Sequence, residues 1–167
     1  MSTSNHQVKA APLTPQAWEP FGWLPVPDVD AADGHHRLEF EWHDVHVNLI
    51  AHHLEEITRS GGQLRCDQMF HHWTHTQALL VLNCDAVIAV APAAVTFAEM
   101  RDLLEIKAFT LKPLQSLVLS RGTWHWGPFP LDSPTVQLYN VQGFRYGEDN
   151  ESYSFLDHST VVDINVD

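Results

Sequence analysis

From Leu38 onward the apolar residues fall on every second position: Leu38, Phe40 and Trp42, then Val45, Val47, Leu49 and Ala51. A period of two marks β-strands, because successive side chains point to opposite faces of a sheet. Leu79 to Leu82 reads as a buried strand, Asn83-Cys84-Asp85 as a tight turn, and Ala86 to Ala91 as the returning strand. Ser60-Gly61-Gly62 is a further turn. Beyond Pro113 the strand signal resumes at Ser116 to Leu119, Val136 to Val141, Ser152 to Leu156 and Thr160 to Ile164. Helical signals are few. Thr14 before Pro15 fits the cap and first position of a short helix that Pro20 and Gly22 end. Thr96-Phe97-Ala98-Glu99 fits a capping box opening a helix through about Leu104. Pro25, Pro27, Asp28, Asp30, Asp33 and Gly34 predict a loop between the first helix and the strands. Many short strands, few helices and regular turn signals predict an all-β sandwich or barrel. No repeat, low-complexity tract or linker divides the 167 residues, a length that suits one domain.

Composition narrows the possible partners. The hydrophobic fraction of 44% and the 6 Trp, 8 Phe and 3 Tyr provide for a core and exclude disorder along the whole length. Nine Lys+Arg against 21 Asp+Glu give a formal net charge of -12, which repels phosphate backbones and anionic lipid alike. Neither a nucleic-acid nor a membrane partner is expected. Ala86 to Val95 is too short to span a bilayer, and the polar start, Met1 to Ala10, does not resemble a secretory signal. Cys66 and Cys84 form no disulfide framework, so a reducing cytoplasm is the expected location.

The one compositional excess is histidine, 12 residues of it, the side chain that titrates near neutrality and commonly ligates metals. Two segments concentrate it at predicted strand edges: Phe70-His71-His72-Trp73-Thr74-His75-Thr76-Gln77 and Ser120-Arg121-Gly122-Thr123-Trp124-His125-Trp126-Gly127-Pro128. In a closed barrel such edges share an interior mouth where small ligands bind. His125 and His72 are the candidate acid/base pair. Gln77 is placed to pair with a substrate amide or to satisfy buried backbone. Arg121 is placed to grip a carboxylate or to form a surface salt bridge. Trp124 is a candidate pocket wall or a packing residue. His35-His36 and His52-His53 read as surface or edge positions. His72, His75 and His125, with Gln77 as a weak fourth group, are a candidate divalent-cation set that lacks a carboxylate.

The second segment resembles the P-x-G-x-x-H motif of the cupin superfamily through Gly122 and His125, the glycine allowing a bend that turns the histidine inward. The first cupin motif, H-x-H-x(3,4)-E-x6-G, maps onto Phe70, His72, Gln77 and Cys84, with His72 alone kept. The run Leu13 to Gly22 is similar to the opening of the ureidoglycolate lyase family. Thr76-Gln77-Ala78, Val90-Ala91-Pro92, the Arg101 helix and Gly122-Thr123-Trp124-His125 follow in that family's order over roughly residues 12 to 142. The resemblance implies a cupin-type jelly-roll β-barrel with one or two short helices, its core about 38–142. An N-terminal helix and strand segment would span 12–37, and a C-terminal extension 143–167. It further implies a homodimer that cleaves ureidoglycolate, a small carboxylate, to glyoxylate and urea. In that picture His125 and His72 exchange protons with substrate, Arg121 holds the carboxylate and Gln77 reads the urea end. The chain departs from the family at Phe70, His71, Ser120, Trp126-Gly127 and Gln142-Gly143, where charged residues, His or a His-Pro pair are usual. Those departures leave two alternatives open: a cupin enzyme acting on another small carbonyl or hydroxy acid, with or without metal, and a cupin that binds a small molecule without turnover.

Overall fold

A computed structural model describes residues 4–25, 35–41 and 44–166. The strands are β1 (Ser4–Pro12), β2 (Gly22–Trp23), β3 (Val45–His53), β4 (Arg59–Ser60), β5 (Gln63–Cys66), β6 (Gln68–His72) and β7 (Gln77–Val81). They continue as β8 (Ala86–Ala91), β9 (Lys107–Leu111), β10 (Ser116–Leu119), β11 (Trp124–Pro130), β12 (Thr135–Gly143), β13 (Asn150–Ser154) and β14 (Thr160–Asn165). A nine-stranded sheet runs β13-β6-β11-β8-β9-β1-β14-β5-β4, and a five-stranded sheet runs β2-β10-β7-β12-β3. The curled sheets form a half-barrel, an all-β, cupin-like architecture.

Strand β8 explains the apolar run Ala86 to Ala91. All six residues are buried. Ala86, Ile88 and Val90 join Leu79, Phe109, Leu117 and Leu138 in the core between the sheets. Val87, Ala89 and Ala91 pack with Leu64, Met69, Trp124 and Phe155 on the other face of the large sheet. A strand covered on both faces loses its alternation and reads as a continuous run. Helix α1 (Pro15–Trp18) begins as expected, with the Thr14 hydroxyl accepting from the Ala17 amide and Pro15 in the first turn. It delivers Trp18, fully buried, whose indole N–H donates to the Val118 carbonyl at 3.0 Å and whose ring packs edge-on to Phe109.

Several expectations need correction. Residues 38–41 form no strand: Phe40 makes one isolated bridge to His75, and the segment is laid along 74–76 by Thr76 N–H to Glu39 O and Glu41 N–H to Thr74 O. Trp42 and residues 26–34 of the expected loop lie outside the described residues. The helix expected from Thr96 is a 3-10 turn at Met100–Glu105 instead. Phe97 sits at φ 55° and is buried in the core, so a left-handed residue separates Thr96 from any helical turn. The Glu99 amide donates to the Asp102 carboxylate, moving the cap three residues on. Strands β1 and β9 were not expected. Only Val8 of β1 is buried, but β1 lies parallel between β14 and β9, so backbone pairing on both edges makes the strand where no apolar pattern announces it.

Candidate functional site

Where the apolar core between the sheets ends, a cavity of about 470 Å³ opens. Its walls come from β6 and β11 of the large sheet and β3, β7 and β12 of the small one. His52, Phe70, His72, Gln77, His125, Gln142 and Tyr146 are among the residues that line it.

The two expected histidines meet through a local backbone device. The Gly122 amide donates to the His72 carbonyl at 2.6 Å, tying the end of β6 to the bend that starts β11. Gly122 has φ +76°, and a Cβ there would lie 2.4 Å from the Trp73 ring, so position 122 requires glycine on two counts. His125 then sits opposite Phe70 and Val90 in the sheet, with its ring 5.3 Å from that of His72. His72 in turn stacks on His75 at 4.7 Å.

The hydrogen bonds fix the state of each ring. His125 Nδ1 is 3.2 Å from the Thr123 carbonyl, which can only accept, so Nδ1 carries the proton and Nε2 keeps its lone pair. Burial, above all, pushes His125 down to about 4; the Thr123 contact opposes this, and the neighbouring imidazoles His71, His52 and His75 reinforce it. Burial, followed by His125 and His75, takes His72 to about 3. Both rings are therefore uncharged at neutral pH. His75 lies behind His72, its Nδ1 3.5 Å from Asp149 and 3.3 Å from the Thr74 hydroxyl. Burial lowers its pKa, Asp149 partly offsets that, and the Arg121 charge adds to the lowering. Burial works to raise the Asp149 carboxyl, but the hydroxyl and amide of Thr74, at 2.6 and 2.7 Å, with the Trp73 amide and His75, overcome it and hold the group ionised. Room for the His75 ring exists because residue 143 is glycine: a Cβ there would sit 2.7 Å from Nδ1.

On the opposite wall the Gln77 amide nitrogen donates to Asn140 Oδ1 at 2.9 Å and Gln142 Oε1 at 3.2 Å, and Asn140 donates on to Asn48 at 2.8 Å. Among the described residues, three buried side-chain atoms have no hydrogen-bond partner: His72 Nδ1, His75 Nε2 and Gln77 Oε1. The three residues, with His125, line a small void too tight for a water molecule. Unpartnered buried polar atoms are costly, so these three mark a place where the packing leaves polar groups unsatisfied.

Two of the expected substrate contacts do not line the cavity. Arg121 donates to the Trp73 carbonyl and, at 2.6 Å, to Glu41, with Glu39 at 4.0 Å, so it pins the 39–41 segment and lines no wall of the cavity. Trp124 points into the other core: the strand alternation that turns His125 inward turns its neighbour away. Its ring stacks on His71 at 3.7 Å, and its N–H donates to the Val95 carbonyl. His71 is held there by Glu151 at 2.9 Å. The metal set also needs correction. The rings of His72, His75 and His125 do gather, but among the described residues no three His, Cys, Asp or Glu are placed to hold a metal ion. A cation asks in-plane lone pairs to converge, whereas the stacked rings of His72 and His75, 24° from parallel, hold theirs side by side.

Other site residues were not expected. His52, read as an edge position, lines the cavity from β3 and contacts the Pro128 carbonyl at 2.7 Å. Asp149 stands 74 residues from His75 with no motif around it, and only the fold brings the two together. Asn140 and Gln142 follow the alternation of β12, whose even positions are buried.

The family profile described as ureidoglycolate lyase matches residues 5–162 of this chain. No curated protein matches it.

Proposed function

The chain belongs to the ureidoglycolate lyase family, and we propose that it is a carbon–nitrogen lyase that splits a ureido carbinolamide into an aldehyde and urea. Ureidoglycolate, giving glyoxylate and urea in purine-ring breakdown, is the reference reaction. The observation that carries this reading is the placement of His125: buried at the cavity wall, uncharged, with its Nδ1 proton engaged and its Nε2 lone pair available.

The chemistry asks for one proton to move. The carbinol hydroxyl gives its proton to His125 Nε2, the C–O bond becomes a carbonyl, and the C–N bond breaks with its electron pair leaving on nitrogen. The imidazolium then returns the same proton to that nitrogen, so aldehyde and urea form with no net change at the protein. Burial disfavours the imidazolium, so once formed it returns the proton readily. His72 is a neutral neighbour that shapes the wall and orients the hydroxyl. His75 and Asp149 hold His72 from behind. Gln77 Oε1, whose amide N–H groups are both engaged by β12, accepts from the ureido N–H.

The working unit is a homodimer, formed on the outer face of the small sheet. Val45, Val47 and Leu49 of the edge strand β3 are 50 to 67% exposed, beside the 44% exposed Tyr139 of β12. No residue of β2, β3, β7, β10 or β12 is charged, in a chain of net charge -12. Two such chains repel everywhere except where they meet on an uncharged, apolar face, and a second copy offers that face. The free thiols Cys66 and Cys84 suit a reducing cytoplasm.

The test is product stoichiometry. Purified protein given ureidoglycolate should release urea and glyoxylate in equal amounts. Release of ammonia in place of urea, or no product from any ureido carbinolamide, contradicts the proposal.

A further inference from the structure

All nine Lys and Arg residues of the chain lie within the described residues, and none lines the cavity. Arg121 is paired with Glu41, Arg65 with Asp163, Arg101 with Glu99 and Lys112 with Asp85; Arg59 donates to the Leu131 carbonyl. Lys9, Arg37, Lys107 and Arg145 stand elsewhere on the molecule, outside the cavity lining. The charged residues that do line it are acids, Glu56 and Asp67. A carboxylate brought into such a site exchanges water for a wall with no cation, beside two carboxylates and within a chain of net charge -12. Burying an unpaired carboxylate is among the most unfavourable steps in binding.

His72 and His125 do not supply the missing charge. Driven down to about 3 and 4 chiefly by burial, both are uncharged at neutral pH. Protonating either to meet an anion works against that burial.

The wall does offer amides. Gln68, Gln77, Gln142 and Asn150 line the cavity, and behind them Asn140 and Asn48 continue the buried network from Gln77. The network fixes Gln77 with its oxygen left without a hydrogen-bond partner. An amide-lined, cation-free cavity matches a ligand that is polar, rich in N–H and C=O, and carries no charge.

We infer that this site selects uncharged ureido compounds, those whose carbinol carbon bears hydrogen, alkyl, ester or carboxamide, over the carboxylate-bearing ureidoglycolate. The inference rests on the ureido-carbinolamide reading above and concerns the end of the substrate opposite the urea group.

A pair of unreactive ligands isolates the charge. N-carbamoylglycine and N-carbamoylglycinamide share one skeleton, lack the hydroxyl that cleavage needs, and differ by a carboxylate against a carboxamide. Calorimetry on the full chain at neutral pH should find the carboxamide bound at least tenfold more tightly. Equal affinities, tighter carboxylate binding, or no detectable binding of either overturns the inference. Phe70→Arg, which sets a guanidinium into the cavity wall, should shift the ratio at least tenfold toward the carboxylate; an unchanged ratio would likewise count against a cavity whose selectivity is set by charge. In parallel, urea release from N-(hydroxymethyl)urea should exceed that from ureidoglycolate in kcat/KM. If the carboxamide binds more tightly and no carbinolamide releases urea, the lyase reading fails while the charge selection stands. If urea is released from both and the carboxylate binds more tightly, the reverse holds.

Discussion

Histidine does two different jobs in this chain, and the difference lies in what each ring touches. His71 is clamped between Trp124 and Trp73 with Glu151 on one nitrogen and the Gly122 carbonyl facing the other, so both nitrogens are engaged in structure. His125 has one nitrogen engaged and the other free, the condition for moving a proton. Burial of His72 and His125 also carries a cost that pH reveals. Their folded values lie below the ordinary 6.5, so the unfolded chain binds more protons as the pH falls. Stability contributed by keeping these rings neutral is complete above about 6.5. It is lost as the pH falls toward 4 for His125 and toward 3 for His72, by about 1 kcal/mol per pH unit for each ring. Thermal unfolding followed from pH 7 to pH 4 should show a falling Tm, and His125→Asn should flatten part of that fall; a Tm constant over the range contradicts the burial of neutral rings. Arg121, although the best carboxylate grip that the sequence offers, sits in an exposed network with Glu39 and Glu41. Arg121→Ala should leave KM for any substrate within twofold and cost less than about 1 kcal/mol of stability. A tenfold rise in KM would place this guanidinium at the substrate.

At the scale of elements, the site is held by places where only glycine fits. Gly122→Ala combines a left-handed backbone with a collision against Trp73 and should destabilise the protein by about 1–3 kcal/mol in denaturant unfolding. Gly143→Ala should press on His75 and lower kcat more than it raises KM, because the ring it displaces backs His72 and does not line the main cavity. An unchanged kcat would remove His75 from the positioning role. These elements also show what the sequence made legible. The hairpin around Asn83-Cys84-Asp85, the Thr14-Pro15 start of α1 and the Gly122–His125 spacing are local events, decided by residues within a few positions of each other, and they stand where the sequence put them. Strand β1 was hidden because its partners β14 and β9 lie more than 90 residues away. In β3 the period of two was plain but not the direction of the faces. Val45, Val47 and Leu49 point out while His46, Asn48, Ile50 and His52 point in, so His52 escaped notice as a cavity residue. Trp124 faces the other core for a related reason: a motif gives spacing, and only the strand assigns sides.

For the whole molecule, an uncharged sheet inside a strongly acidic chain is the feature that the proposed dimer and the site share, because β3 turns Val45, Val47 and Leu49 to solvent and Ile50 and His52 to the cavity. Light scattering of the wild type should give twice the 18.9 kDa chain mass, and Leu49→Lys should give the single mass with the fold retained. A wild type that is monomeric at micromolar concentration contradicts the assignment of that face. Among the described residues no helix is long and apolar enough to cross a membrane. The most direct test of the account is the turnover of a ureido carbinolamide by wild type and by His125→Ala, with equal folding of the two verified beforehand. Loss of the shuttle should lower kcat by about 10²–10⁴-fold with KM little changed. Urea released at the wild-type rate by His125→Ala would contradict the assignment of His125 as the group that moves the proton.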